Sequence, residues 1–134
     1  MNKRLIEELI PIAIDALKTP EIKIVDNNTI SNVYKGYIAS FGTSVVQAGL
    51  RQSVAFFSVK GAATQEEEGR LKIMNLICKV LRQAGKIDVS VKTLGEYVND
   101  AETDQSKAKG YILDAAVACK MAIRSYKIVK KNRG

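Results

Sequence analysis

A chain of 134 residues that is 46% apolar is long enough to bury a core of its own and too apolar to be a disordered tail. Aromatics make up only 6%, with no Trp, and Ala, Ile, Leu and Val supply most of the rest, a mix that suits close-packed helices. The net charge of +7 calls for an acidic partner (a nucleic-acid backbone, an acidic membrane surface or an acidic protein), while the absence of any His removes imidazole acid–base catalysis, Ser–His and Cys–His nucleophiles and His-ligated metals.

The N-terminus turns acidic at Glu7-Glu8 before a signal-peptide core can form, and Asp15, Asp114 and Lys120 interrupt the most apolar runs. A cytoplasmic protein with no membrane span is therefore expected. Residues 2–18 carry apolar positions at helical steps (Leu5, Leu9, Ala13, Leu17), with Pro11 removing one internal hydrogen bond and expected to kink the helix. Glu21 to Asn28 alternates briefly like a strand, but with no partner in view it is expected to be an extended connector, and Asn28 or Thr29 to cap the helix that follows.

That second helix is expected to carry an apolar stripe through Ile30, Val33, Tyr34, Tyr37, Ile38, Phe41, Val45 and Ala48. Gly49 is placed to end it in a left-handed cap, and Leu50–Lys60 follows as a short apolar helix stopped by Gly61. Phe56 and Phe57 are neighbours, about 100° apart on a helix, so burying both requires cover on more than one side. On that reasoning this helix is expected to be the centre of the core. Thr64 and Glu67 have capping-box spacing, and Glu66, Glu67 and Glu68 complement a helix dipole better than they make a metal site. The fourth helix runs to Ala84 with Leu71, Met74, Ile77, Cys78 and Leu81 inward and Lys72, Lys79, Arg82 and Lys86 on its other flank.

A short fifth helix is expected from about Ser90 to Asn99. Asp100–Asp104 starts like a calcium loop, but Gln105 and Tyr111 stand where the glycine and closing glutamate belong, so Asp104 reads as a cap. The last helix is expected from Gln105 to about Val129, buried in its first half. From Gln105 to Gly134 there are eight basic residues and one acid, Asp114. Lys120, Arg124, Lys127 and Lys131 form a stripe there at helical steps, suited to neutralising phosphates without reading bases.

The whole chain, 1–134, reads as one all-α bundle of five to six helices. Cys78 and Cys119 lie on apolar faces and read as buried thiols; two thiols without His leave no zinc site. No glycine-rich phosphate loop is present, no cofactor is implied, and the chain is expected not to be an enzyme. A sequence-specific helix-turn-helix reader is disfavoured, because the helix after Gly49 offers Val54, Phe56 and Phe57 where base edges want polar groups.

The stretch from Tyr37 to Lys60 resembles the small helical subunit of type III-B CRISPR RNA-guided effector complexes, the Cmr type. That family tends to show a helix, then Asn-Gly-Leu-Gly-Gln-Thr-Leu-Ala-Phe, then Ser-x-Lys. Gly49, Leu50, Gln52, Ala55, Phe56, Ser58 and Lys60 match it, while Ala48 and Arg51 depart from it. The resemblance implies a non-catalytic subunit that stacks with its neighbours, itself included, and contacts guide and target RNA in antiviral defence, with no small-molecule substrate. Charge geometry makes Lys120, Arg124, Lys127 and Lys131 the first candidates for RNA contact, then Arg51 and Lys60, then Lys79 and Arg82. Lys60 alone also matches the motif. Two other readings stand beside this one, a stand-alone helical nucleic-acid binder and a scaffold or adaptor whose basic end meets an acidic protein.

Overall fold

The computed structural model describes residues 1–59, 61 and 63–130. In chain order the elements are α1 (Lys3–Leu17), β1 (Val25–Asp26), β2 (Thr29–Ser31), α2 (Val33–Ala48), α3 (Leu50–Phe57), α4 (Gln65–Gln83), α5 (Leu94–Asn99), α6 (Gln105–Ile123) and β3 (Lys127–Val129). The protein is mostly helical, as expected, with a small sheet in addition.

Side chains that satisfy orphan amides start most of the helices. The Asn2 carboxamide accepts the Leu5 N–H, the Thr64 hydroxyl that of Glu67, the Thr93 hydroxyl that of Glu96, and the Asp104 carboxylate those of Ser106 and Lys107. The capping box at Thr64 and the cap at Asp104 are thus where the sequence puts them. α5 is shorter than expected, starting at Leu94. α1 continues through Pro11, which faces solvent, so the carbonyl it frees at Glu7 can find water.

Three expectations about the first half of the chain are corrected. Val25–Ser31 is a hairpin, not a connector: Asn27 and Asn28 both take positive φ (49° and 60°), the geometry of a type I′ turn, and Val25 pairs with Ile30. α2 accordingly begins later, after Asn32 rather than Asn28 or Thr29. Gly49 has φ 96° and ψ 161°, an extended conformation open to glycine rather than a left-handed cap, and it lets α3 start at once while its N–H still reaches the Val45 carbonyl. The turn is locked by the Ser44 and Ser53 hydroxyls, 2.6 Å apart, and by an edge-on contact of Phe41 with Phe57.

The core is not centred on α3. That helix buries Leu50, Ser53, Val54 and Phe57 along one side only, and Phe56 remains 58% exposed with the Arg70 guanidinium 5.0 Å above its ring. Eight residues packed on α2, α4 and α5 cannot cover two neighbours that point about 100° apart. α6 is the central element, packing on α1, α2, α4 and α5, with Ile112, Ala115, Ala118, Cys119, Ala122 and Ile123 fully enclosed. α4 contributes Ile73, Met74, Leu76, Ile77 and Leu81, while Leu71 is only half-buried. Ala48, expected inward, is exposed.

α6 also ends earlier than expected, at Ile123. The β-branched pair Ile128-Val129 then enters β3, which runs parallel to β2 with Ile128 opposite the fully buried Ile30. The Asn32 N–H extends this pairing to the Val129 carbonyl at 2.8 Å.

Candidate nucleic-acid interface

The end of α6 at Ile123 breaks up the expected cationic stripe. Lys120 sits half-buried in the last turn of α6, Arg124 is the exposed residue that closes the helix, and Lys127 is exposed on β3 opposite Thr29. Lys131, like Lys60, lies outside the described residues. Helical spacing therefore does not align this row, which is split between a helix end and a strand. Arg124 and Lys127 are both exposed and close in the chain, and Lys130, exposed just past β3, follows them. Lys130 was missed as a site residue because its placement depends on a strand whose partner lies far away in sequence.

The other expected contact residues among those described, Lys79, Arg82 and Arg51, are engaged within the protein. The Lys79 ammonium, whose side chain is only 15% exposed, pairs with Glu21 at 2.6 Å, the one ion pair among the described residues. That hydrogen bond is the main cause holding the Glu21 carboxyl below its ordinary pKa. Arg82 donates through one nitrogen to the Val91 carbonyl at 3.0 Å, the Lys92 carbonyl at 3.2 Å and the Cys78 sulfur at 3.2 Å, so it ties the segment before α5 to α4. Arg51 donates its Nε–H to the Val98 carbonyl at 3.1 Å, joining α3 to α5. These three serve the fold first, and the structure does not bring them together with Arg124 and Lys127.

Both cysteines are reduced and buried. Burial pushes both thiols up, against the nearby Arg82 guanidinium in the case of Cys78. Neither belongs to a reactive arrangement, since a nucleophilic cysteine needs a lowered pKa and access.

A second feature lies along α6. The start of α1, α2 and α6 enclose a groove of about 610 Å³. Leu5, Ile38, Leu113 and Val117 make its floor, Gly42 and Gly110 open onto it, and Lys107 and Lys120 stand along α6 on its border. Asp114, 6% exposed, also lines it and accepts the Asn2 N–H at 3.4 Å, which fastens the start of α1 to α6.

Taken together, the fold and these surfaces define a small, mainly helical protein with exposed cations, Arg124, Lys127 and Lys130, at the close of its central helix and on and beside the strand that completes a miniature sheet. No helix among the described residues is long and apolar enough to cross a membrane. A family model described as CRISPR-associated protein (Cas_Cmr5) matches residues 15–122. The chain belongs to that family, and so to the Cmr-type small subunits of type III-B CRISPR complexes. The matched span includes α2, α3, α4 and α5 and stops just short of Arg124, Lys127 and Lys130. Neither the curated proteins nor the solved structures gave a match.

Proposed function

We propose that this protein is a non-catalytic subunit of a type III-B effector complex that acts in the cytoplasm in antiviral defence and holds RNA through phosphate contacts made by Arg124, Lys127 and Lys130. Family membership supports the assembly. The observation that carries the RNA contact is the exposed cationic group past α6, where no carboxylate among the described residues pairs with any of the three. Such a group attracts phosphates whatever the base sequence, so it suits a subunit that must accept any guide and target. Lys120, on the border of the groove, is adjacent to this group in the chain but less exposed.

The test is Arg124→Glu with Lys127→Glu and Lys130→Glu, titrated with a guide–target RNA duplex across a salt series, alone and in the assembled complex. Affinity should fall at least tenfold, and the slope of log affinity against log salt should flatten by roughly one for each phosphate that is no longer neutralised. Unchanged affinity and slope would overturn the assignment.

A further inference from the structure

Glycine in the interior of a helix costs roughly 1 kcal/mol relative to alanine, so each such glycine asks for a reason. At Gly69 the reason is inside the protein, because the Tyr37 ring occupies the place of a side chain. At Gly36 and Gly42 in α2 and at Gly110 in α6 it is not: a Cβ at any of the three would meet no atom within 4 Å. Gly36 lies away from the groove, whereas Gly42 and Gly110 open onto it from the two helices that form its sides. No side chain of their own fills the groove at those two points.

The lining describes what would use it. Leu5, Ile38, Leu113 and Val117 offer an apolar floor, which gives nothing to a phosphate backbone. The one acid in the lining, Asp114, is buried and engaged by the Asn2 N–H. The two charged side chains left are Lys107 and Lys120, which at 1.5 Å per residue stand roughly 20 Å apart along α6, about the length of a helix of thirteen residues. Small side chains at the seam let a second helix approach to about 8 Å between axes. Among the described residues a second copy of this chain offers no helix with a row of large exposed apolar side chains: Met1, Val46 (72% exposed), Phe56, Val89 and Met121 lie before α1, on α2, on α3, on a loop and on α6, no two on one helix.

We infer that this groove seats one amphipathic helix of a different protein subunit, apolar on its inner face and carrying carboxylates that reach Lys107 and Lys120. The mode is helix-in-groove recognition: apolar anchors supply affinity and the paired charges set the register. The inference rests on the reading of the chain as a subunit of an assembly, but not on its RNA contacts, which lie past the end of α6.

The test uses the assembled complex, purified through a tag on this chain. A photo-crosslinking residue at Ala39, an exposed position on the groove, should join to one helical segment of another subunit, with apolar residues at three- and four-residue steps and acids at both ends. Gly42→Leu with Gly110→Leu fills the groove without backbone strain, and should keep the parent's melting temperature while recovery of that subunit drops at least tenfold. Lys107→Glu with Lys120→Glu should weaken recovery too, and acid→Lys changes in the captured helix should restore it. Crosslinks only to RNA, only to a second copy or to no polymer would overturn the inference. So would full recovery with the folded Gly→Leu protein. If no subunit accompanies even the parent chain, the assembly reading fails with it, whereas the Arg124, Lys127 and Lys130 reversals should lower RNA affinity at least tenfold and leave the crosslink in place.

Discussion

The ring of Tyr37 lies against the Cα of Gly69, so α2 and α4 touch at a point where α4 has no side chain. A Cβ at residue 69 would collide with the edge of that ring. Tyr37 is half-buried and held edge-on by Tyr34 at 5.9 Å, so it cannot simply swing aside. Gly69→Ala should therefore destabilise the protein by about 1–3 kcal/mol in urea titrations, although alanine is the better helix former. Adding Tyr37→Ala should remove most of the penalty in a double-mutant cycle, because the clash then has no partner.

Ser53 is buried and shares a 2.6 Å hydrogen bond with Ser44 across the Gly49 turn. Ser53→Ala should lower stability by about 1 kcal/mol, and Gly49→Ala by more, since its φ of 96° is one that side chains resist. Melting curves of the two single variants give the ranking.

Structural and RNA-binding cations separate by opposite readouts. Arg82→Ala releases the Val91 and Lys92 carbonyls and should cost roughly 1–3 kcal/mol of stability, with RNA affinity of the folded protein unchanged. Charge reversal at Arg124 and Lys127 should do the reverse, with affinity falling and stability holding to within about 0.5 kcal/mol. A loss of RNA affinity in folded Arg82→Ala would return that residue to the interface.

Burial raises the Cys119 thiol far above its ordinary value. Because the folded-state pKa is the raised one, the stability from this site is complete below the unfolded thiol's pKa, about 8.5, and is lost as pH climbs above it. Urea midpoints should fall between pH 7 and pH 10, and fall less steeply for Cys119→Ala, which has no thiol to ionise. Equal slopes in the two proteins would show that Cys119 contributes nothing to the alkaline loss. Below pH 7 neither cysteine should react with a thiol reagent until the protein unfolds.

The helices were legible because each carries its own signal. Thr64 with Glu67, Asp104, and Gly49 mark ends that depend on nearby residues alone. The sheet was not legible as a whole, although Asp26-Asn27-Asn28-Thr29 is a hairpin turn by composition. Its third strand pairs in parallel with residues at the far end of the chain, and no local period records that. For the same reason the cationic residues show helical spacing without a helix, since α6 ends at Ile123 and Lys127 lies on β3. Charge alone likewise did not separate Arg124 from Arg51, Lys79 and Arg82, because a hydrogen bond to a backbone carbonyl or a pairing with a distant glutamate depends on the fold. The groove was hidden for a simpler reason: Gly42 and Gly110 sit in different helices, and only packing brings them to one place.

The pairing of Thr29–Ser31 with Lys127–Val129 joins the segments on either side of α2 to α6. Bringing such remote segments together closes a loop that holds five of the helices, which is entropically expensive until those helices have already shortened the path. Loop closure thus favours late formation of the β2–β3 pairing, after the local β1–β2 hairpin, and makes the strand bearing Lys127 the latch. Until that strand docks, Ile30 and the backbone edge of β2 lack their cover, the arrangement most open to strand-to-strand association with a neighbour.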